Sequence, residues 1–594
     1  MNENRNLLLA FILSAAILIG WQYFLPHHQA KTGPQSQGQT HHVVTAPTTP
    51  TGAVHGAATM SLTKAIANSG PRIIIDTPSV DGSLRLNGAR FDDLKLKRYH
   101  LTINPKSPQI DLLAPEATAH PYYSVFGWVA APGEHIATPG ANTPWKLVQG
   151  NRLTPRTPIT LSWNNGQGLV FTRTIAVDDN YMFTIRDRVT NTGDKPVTLF
   201  PYAYVARENP PATKSSWYLH QGFIGVAGGS EKDADYSDFK GGKPPQTFSS
   251  KGGWFGITDK YWMAAVIPPQ NARLAAAYRA VQGAHVTAYQ ADYRLAAQTI
   301  APHGSLSIAQ HLFAGAKVVQ LLDQYSSKLG ITHFDLAVDW GWFWFFTKPI
   351  FFLLDTFYHW VGNFGVAILL LTVTIKLAFF PLANTSFKSM SRMKKLQPEM
   401  ERIRQRFADD KQRQQQELMD FYKREKVNPV SGCLPMLIQM PVFFSLYKVL
   451  YVTIEMRHAP FFGWIHDLSA PDPTSILNLF GLLPYHIPLW IPAFLSIGIW
   501  PILMGFTQFL STRLNPAPAD PIQAQMFTFM PIIFTFMMAG FPAGLVIYWT
   551  WNNLLTATQQ YVVMRRQGVE VHLLENLRLR QLAGRLSALV GRRG

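Results

Sequence analysis

The chain has 594 residues, 47% hydrophobic and 13% aromatic, with a formal net charge of +17 at pH 7. Its single cysteine, Cys433, excludes an intramolecular disulfide and a cysteine-built zinc site. Such a basic balance suits either a nucleic-acid binder or a membrane protein with basic inner loops, and the placement of the charges decides between them.

Residues 7–25 carry no charge, and as a helix they measure about 28 Å, close to the hydrocarbon thickness of a bilayer. A cleaved signal peptide is the alternative, but only Arg5 precedes the run as a positive side chain and the run is long for such a segment, so residues 1–25 read as a retained transmembrane anchor. Residues 26–59 are rich in Gly, Pro, Thr, Gln and His and read as a flexible linker, too poor in apolar surface to offset chain entropy. Its histidine pairs, His27/His28 and His41/His42, lack acidic or cysteine partners and read as solvated rather than metal-binding.

In residues 60–335, β-rich runs at 73–75, 172–177, 182–189 and 197–205 are punctuated by Asn165-Gly166, Asp179-Asn180 and Thr192-Gly193-Asp194. This pattern predicts a large antiparallel β-sandwich. Trp145, Trp163, Trp217, Trp254 and Trp262 read as core aromatics, with carbohydrate binding as the alternative. Residues 340–358 place Trp342, Phe343, Trp344, Phe345 and Phe346 around Thr347, Lys348 and Asp355. That mixture predicts an amphipathic helix at a membrane interface, or else an extension of the next span.

Five further spans follow at 361–382, 434–453, 491–510, 526–540 and 543–563, six in all with the anchor. Together, 361–563 read as a five-helix core, which includes a helical hairpin at 384–429. That hairpin carries twelve Lys/Arg against seven Asp/Glu, and the tail at 564–594 adds seven Arg. The segment 454–490 has only Arg457 against Glu455, Asp467 and Asp472. The positive-inside bias therefore predicts cytoplasmic termini and an outward-facing β-domain, and the charge follows topology rather than a DNA footprint.

Within the spans, Lys376 is the one charge of 361–382. A lysine near mid-bilayer costs roughly 2.5 to 3.5 kcal/mol, so it faces protein or water, unless its stem snorkels to the inner surface. Lys448 reads as snorkelling to the outer surface. In the last span Trp549, Asn552, Asn553, Thr556, Gln559 and Gln560 recur at helical spacing beside Tyr548. With Lys376, Gln439, Ser445, Thr507 and Gln508 this stripe predicts a hydrated cavity, while interhelical hydrogen bonding is the simpler alternative.

The hairpin bears a stripe of Phe387, Met390, Met393, Leu396, Met400, Ile403 and Phe407, then Asp409-Asp410 as its turn. Pro398 is expected to kink or restart the first arm, and the stripe needs a partner surface or its sister helix. Nucleotide-binding, zinc-protease and serine-hydrolase motifs are missing, and no assigned span contains Asp, Glu or His, so no catalytic residue, metal or cofactor is expected.

The runs NPVSGCLPMLIQMP at 428–441, FFGWIHDLSAPDP at 461–473, TFMP at 528–531 and FPAGLVIYW at 541–549, with LQP at 396–398 and DDKQR at 409–413, resemble the YidC insertase family over about 340–566. The anchor and outer β-domain resemble its Gram-negative branch, whose outer domain has a supersandwich fold similar to sugar mutarotases. The resemblance implies a groove open to the cytoplasm and lipid and closed outward, with one basic residue in the first conserved span. Lys376 holds that position here, where arginine is usual; it keeps the charge but loses the planar five-donor fork. Thr372, Tyr548 and Trp549 also fall at groove positions, Trp549 where tyrosine is common.

The groove is thus expected from Lys376, Thr372, Gln439, Thr507, Gln508, Tyr548, Trp549, Asn552 and Thr556, and the hairpin contacts from Met393, Met400, Ile403, Phe407, Asp409 and Asp410. The implied function is a membrane protein insertase and chaperone of the bacterial inner membrane. Its implied partners are nascent membrane proteins, the lipid bilayer and the Sec translocon, with the ribosome and signal recognition machinery at the hairpin and tail. A solute or proton transporter with Lys376 as its binding site is the rival, although no internal repeat is present. A sugar-binding or cell-wall enzyme centred on the β-domain is the third reading.

Overall fold

The computed structural model describes residues 48–51, 59–211, 219–283, 286–425, 427, 434–483, 491–492, 495–515 and 521–569. The expected anchor, most of the linker with its histidines, Trp217, residues 428–433 of the NPVSGC run and the tail beyond 569 lie outside the described residues.

Two sheets build the β-domain. The eleven-stranded sheet runs, edge to edge, through Gln246–Lys251, Arg273–Gln282, Thr287–Leu295, Val197–Glu208, Tyr122–Ala130, Arg90–His100, Val80–Arg85, Arg72–Asp76 and Arg152–Leu153, with two short strands off this path. The nine-stranded sheet runs through Ser230–Asp235, Gly222–Ala227, Trp254–Thr258, Trp262–Ile267, Ser305–Ala316, Met182–Asn191, Leu169–Val177, Ile159–Asn164 and Lys146–Gln149. Pairing is antiparallel except at one edge, where Arg72–Asp76 runs parallel to the two-residue strand Arg152–Leu153, so the expectation of a wholly antiparallel sandwich is corrected there. Strand Leu169–Val177 shows why the sheets stack: every second residue is buried, as the period of two demands when one face meets a core.

One of those inward positions is Arg173. It forms a two-pronged ion pair with Asp187 at 2.6 and 2.7 Å, and Asp187 also accepts from Trp128 Nε1 at 3.3 Å. The Arg173 guanidinium lies 4.9 Å from the Trp145 ring. Trp145 and Trp254 are core residues, whereas Trp163 and Trp262 are half-buried.

Ten α-helices are described: α1 Leu62–Asn68, α2 Val319–Leu329, α3 Trp344–Val361, α4 Phe364–Ala378, α5 Phe380–Arg406, α6 Lys411–Arg424, α7 Leu434–Val452, α8 Ile499–Leu514, α9 Pro521–Met538 and α10 Ala543–Arg566. Gly362, at φ 69°, and Asn363, whose side chain accepts from Val366 N at 3.1 Å, end α3 and start α4, so α3 is a helix of its own. On α3, Lys348 pairs with Asp335 at 2.8 Å and Asp355 accepts from Gln320 at 2.6 Å, while Trp344, Phe345, Phe352 and Trp360 are exposed.

The span expected at 361–382 is shorter than its apolar run. Helix α4 stops at Ala378 and the chain bends by 69° into α5. Pro381 in the first turn of α5 explains this, since its ring cannot continue the preceding helix but suits a helix start. The span expected at 491–510 is shifted: α8 begins at Ile499, where Thr474 Oγ1 and Asp472 Oδ2 accept from the backbone N–H groups of Ile499 and Trp500 at 3.0 and 2.9 Å. Pro398 sits inside α5 without restarting it. Among the described residues no single helix is long and apolar enough to cross a membrane; the bent pair of α4 and α5 meets that test together.

The two regions are stitched by polar contacts. Lys448 of α7 donates to Asp339 at 2.6 Å, Val319 N at the start of α2 donates to Glu455 at 3.0 Å, and Lys260 of the β-domain lies 3.9 Å from the Tyr451 ring. Lys448 thus reaches an acidic partner in the segment joining the β-domain to α3, a partner not expected from the sequence.

Candidate functional site

The site is built around α10, whose start is set by Phe541-Pro542 and whose Tyr548–Gln560 stretch faces three other helices. Toward α4, Lys376 Nζ donates to Thr556 Oγ1 at 2.8 Å, and Thr556 donates in turn to the Asn552 carbonyl at 2.6 Å. Lys376 lies in the last turn of α4, two residues before Ala378, so its ammonium enters the bundle beside the bend. That is nearer the helix end than the apolar run alone suggests. Thr372, one turn earlier, is buried and returns its hydroxyl to the Ile368 carbonyl at 2.7 Å.

Toward α7, Gln439 donates to the Tyr548 hydroxyl, and Tyr548 is fully enclosed. Toward α8, Gln508 Oε1 accepts from Trp549 Nε1 at 3.2 Å and from Asn553 Nδ2 at 2.8 Å, while Gln560 donates to Asn515 at 3.0 Å. Thr507 is buried and bonds within its own helix, to the Met504 carbonyl. The Trp549 ring packs edge-on against Phe443 at 4.5 Å between centroids.

The predicted set therefore divides. Lys376, Asn552 and Thr556 form one cluster; Gln439 and Tyr548 form a second; Gln508 and Trp549 form a third with Asn553, which is the interhelical bonding the sequence offered as the alternative to a cavity. The clusters meet on neighbouring turns of α10. Asn552 Oδ1, Gln559 Nε2 and Ser445 Oγ are buried and find no hydrogen-bond partner among the described residues. Unpaired polar atoms are costly in a dry interior and ordinary where water reaches them. Asn515 was missed by sequence reasoning; its signal was its place one helical turn beyond the polar Thr512 at the end of α8.

The hairpin's apolar stripe has two partners. Phe387 and Met390 pack with Val563 of α10, and Lys395 Nζ donates to the Gln567 carbonyl at 2.6 Å. Farther out, Gln414 of α6 donates to the carbonyls of Arg404 and Phe407 at 2.8 and 3.3 Å, and Met400 and Phe421, one from each arm, are both buried. Met393, Ile403 and Phe407 are half-buried, and the Arg413 guanidinium stands 5.5 Å from the Phe407 ring. Asp409 and Asp410 are exposed at the turn, where Asp410 caps α6 by accepting from Arg413 N at 3.0 Å.

Comparison with known proteins gives the same two-part division. Residues 72–353 match the family model of the YidC periplasmic domain, and residues 356–570 match that of the 60Kd inner membrane protein. The membrane protein insertase YidC of Nitrobacter hamburgensis is 52% identical over 596 residues, covering 97% of this chain and 98% of that protein. The one of Methylorubrum extorquens is 50% identical over 607 residues, covering 97% of each. A solved structure, described as an active YidC insertase with its first transmembrane domain resolved, is 17% identical with a TM-score of 0.36, covering 83% of this chain and 92% of that one.

Proposed function

Since this chain belongs to the YidC family of membrane protein insertases, we propose that it moves hydrophilic segments of nascent membrane proteins through a wet, cytoplasm-open groove beside α4 and α10 and releases their apolar helices sideways into lipid. Insertion into the bacterial inner membrane, with a periplasmic domain and without enzymatic chemistry, is the family's activity and this chain's. Membership sets aside the transporter and cell-wall-enzyme readings of the sequence. The groove, its residues, the six spans, the cytoplasmic termini and the wider partners are the proposed part.

The observation that carries the groove is the Lys376–Thr556 contact: the only charge of an apolar helix turns toward another helix's polar row, beside an Asn552 oxygen with no partner among the described residues. An ammonium there shortens the apolar barrier a polar segment must cross, and at partly buried effective dielectric it attracts an acidic segment by up to a few kcal/mol. Burial of the substrate's apolar helix in lipid, about 0.8 kcal/mol per methylene, drives release without a nucleotide. The Sec translocon is proposed as a partner beside the bundle, and the ribosome and signal recognition machinery at the basic hairpin and tail.

Insertion of reporter proteins with acidic or neutral translocated segments tests the charge. Lys376→Leu is expected to slow acidic reporters roughly tenfold, the equivalent of about 1.4 kcal/mol, and neutral ones little, with Lys376→Arg restoring the rate. Normal insertion of every acidic reporter by Lys376→Leu would remove the ammonium from the mechanism.

A further inference from the structure

The strand Arg90–His100 ends where the β-domain meets the segment that follows α7. Arg457, five residues past the end of α7, donates from Nη2 to the His100 carbonyl at 2.5 Å and lays its guanidinium 5.3 Å from the Trp262 ring. Beyond His100 the chain turns through 101–107 and returns as strand Gln109–Leu113. The turn is well tied: Leu101 N donates to the Pro108 carbonyl at 2.9 Å, His100 Nδ1 contacts the Ser107 carbonyl at 2.7 Å, and Asn104 Oδ1 accepts from Lys106 N at 3.0 Å.

Yet this ordered tip holds apolar side chains in the open. Leu101 is 58% exposed and Ile103 53%, both on the turn that joins the two strands. Lys106 is exposed beside them. The turn is continuous with the contact through Arg457, and the same outer segment carries Phe462 and Trp464, exposed aromatic residues of the kind that settle at bilayer interfaces.

We propose that this β-hairpin tip is a lipid anchor: Leu101 and Ile103 seat in the outer leaflet of the bilayer, and Lys106 faces its anionic headgroups. The anchor rests on the reading above that the C-terminal end of α7 lies at the outer membrane surface. It adds a lipid-bound foot to the protein contacts at Arg457 and Asp339, holding the sandwich at a set height over the bundle.

The test uses the full chain with Cys433→Ser, labelled with an environment-sensitive nitrobenzoxadiazole dye at Leu101→Cys, Ile103→Cys, Trp464→Cys or Asp194→Cys. The labelled chains are placed in nanodiscs of phosphatidylethanolamine and phosphatidylglycerol, with and without spin-labelled lipid. Asp194 is the aqueous control. It lies beyond the far end of strand Met182–Asn191, about 30 Å long, whose near end follows Tyr181, bonded to Tyr99 next to His100. Roughly twofold quenching by spin-labelled lipid is expected at 101, 103 and 464, and none at 194. Quenching at 464 without quenching at 101 and 103 overturns the anchor alone. Absence at all four positions overturns the membrane placement of the outer segment and the anchor with it.

Discussion

Three half-buried charges of the helical region and its outer segment meet partners of different strength. Lys376 meets a hydroxyl on α10 at 2.8 Å, a neutral partner that does not cancel its charge. Lys448 meets the Asp339 carboxylate, a strong partner that spends its charge on joining two regions. Glu455 is a third case. Burial pushes its carboxyl up to about 7, because it sits in the interface with the Val319 amide as donor to one oxygen and no partner among the described residues for the other. With the folded value raised, its contribution to stability is complete below its ordinary value of 4.5 and is lost as pH rises through about 7. Glu455→Gln is therefore expected to flatten the fall in melting temperature between about pH 5 and pH 7, measured on the full chain in detergent. An unchanged slope would show that this carboxyl is not the group that titrates there.

Helix α10 is joined to α7 and α8 by side-chain amides as well as by apolar packing. Gln508 alone accepts from two donors of α10, so Gln508→Leu leaves Trp549 and Asn553 without that acceptor and loosens α8 from α10. A cost of about 1 kcal/mol is expected, given the modest worth of hydrogen bonds between membrane helices. Equilibrium unfolding in mixed micelles measures it, and an unchanged unfolding free energy would show that these bonds do not hold α8 to α10. The 69° bend between α4 and α5 belongs to the same scale. Pro381 marks it in the sequence, yet the apolar run reads as one span at 361–382, because such a run shows hydrophobicity without showing direction. Pro398, expected to kink or restart the arm, does not restart it: the helix runs through, since a long helix tolerates the loss of one backbone bond.

At the scale of the whole molecule, a β-sandwich and a helical region share one buried apolar cluster and are tied further by a few polar contacts, while the basic hairpin α5–α6 packs against α10's C-terminal end. If the charge bias sets topology, the sandwich and the hairpin lie on opposite sides of the membrane. In a Cys433→Ser background, a membrane-impermeant maleimide added to spheroplasts is expected to label Asp194→Cys fully and Gln416→Cys only after permeabilisation. Equal labelling of both in intact spheroplasts would reverse the proposed orientation.

What the sequence by itself determined is local and repetitive: the alternation that makes 172–177 and 182–189 strands, the apolar runs behind α7 and α10, the Asp409-Asp410 turn, the polar stripe from Trp549 to Gln560 and the family motifs. These follow from periods of two and 3.6 residues and from side-chain chemistry, which need no knowledge of neighbours. Only the tertiary structure decided how the two sheets order their strands, that Arg152–Leu153 pairs parallel with Arg72–Asp76, that Asp339 awaits Lys448, and that the stripe of α10 is shared among α4, α7 and α8. Those pairings join residues far apart in the chain, and the choice among partners of the same chemistry is made by packing, which no local pattern encodes.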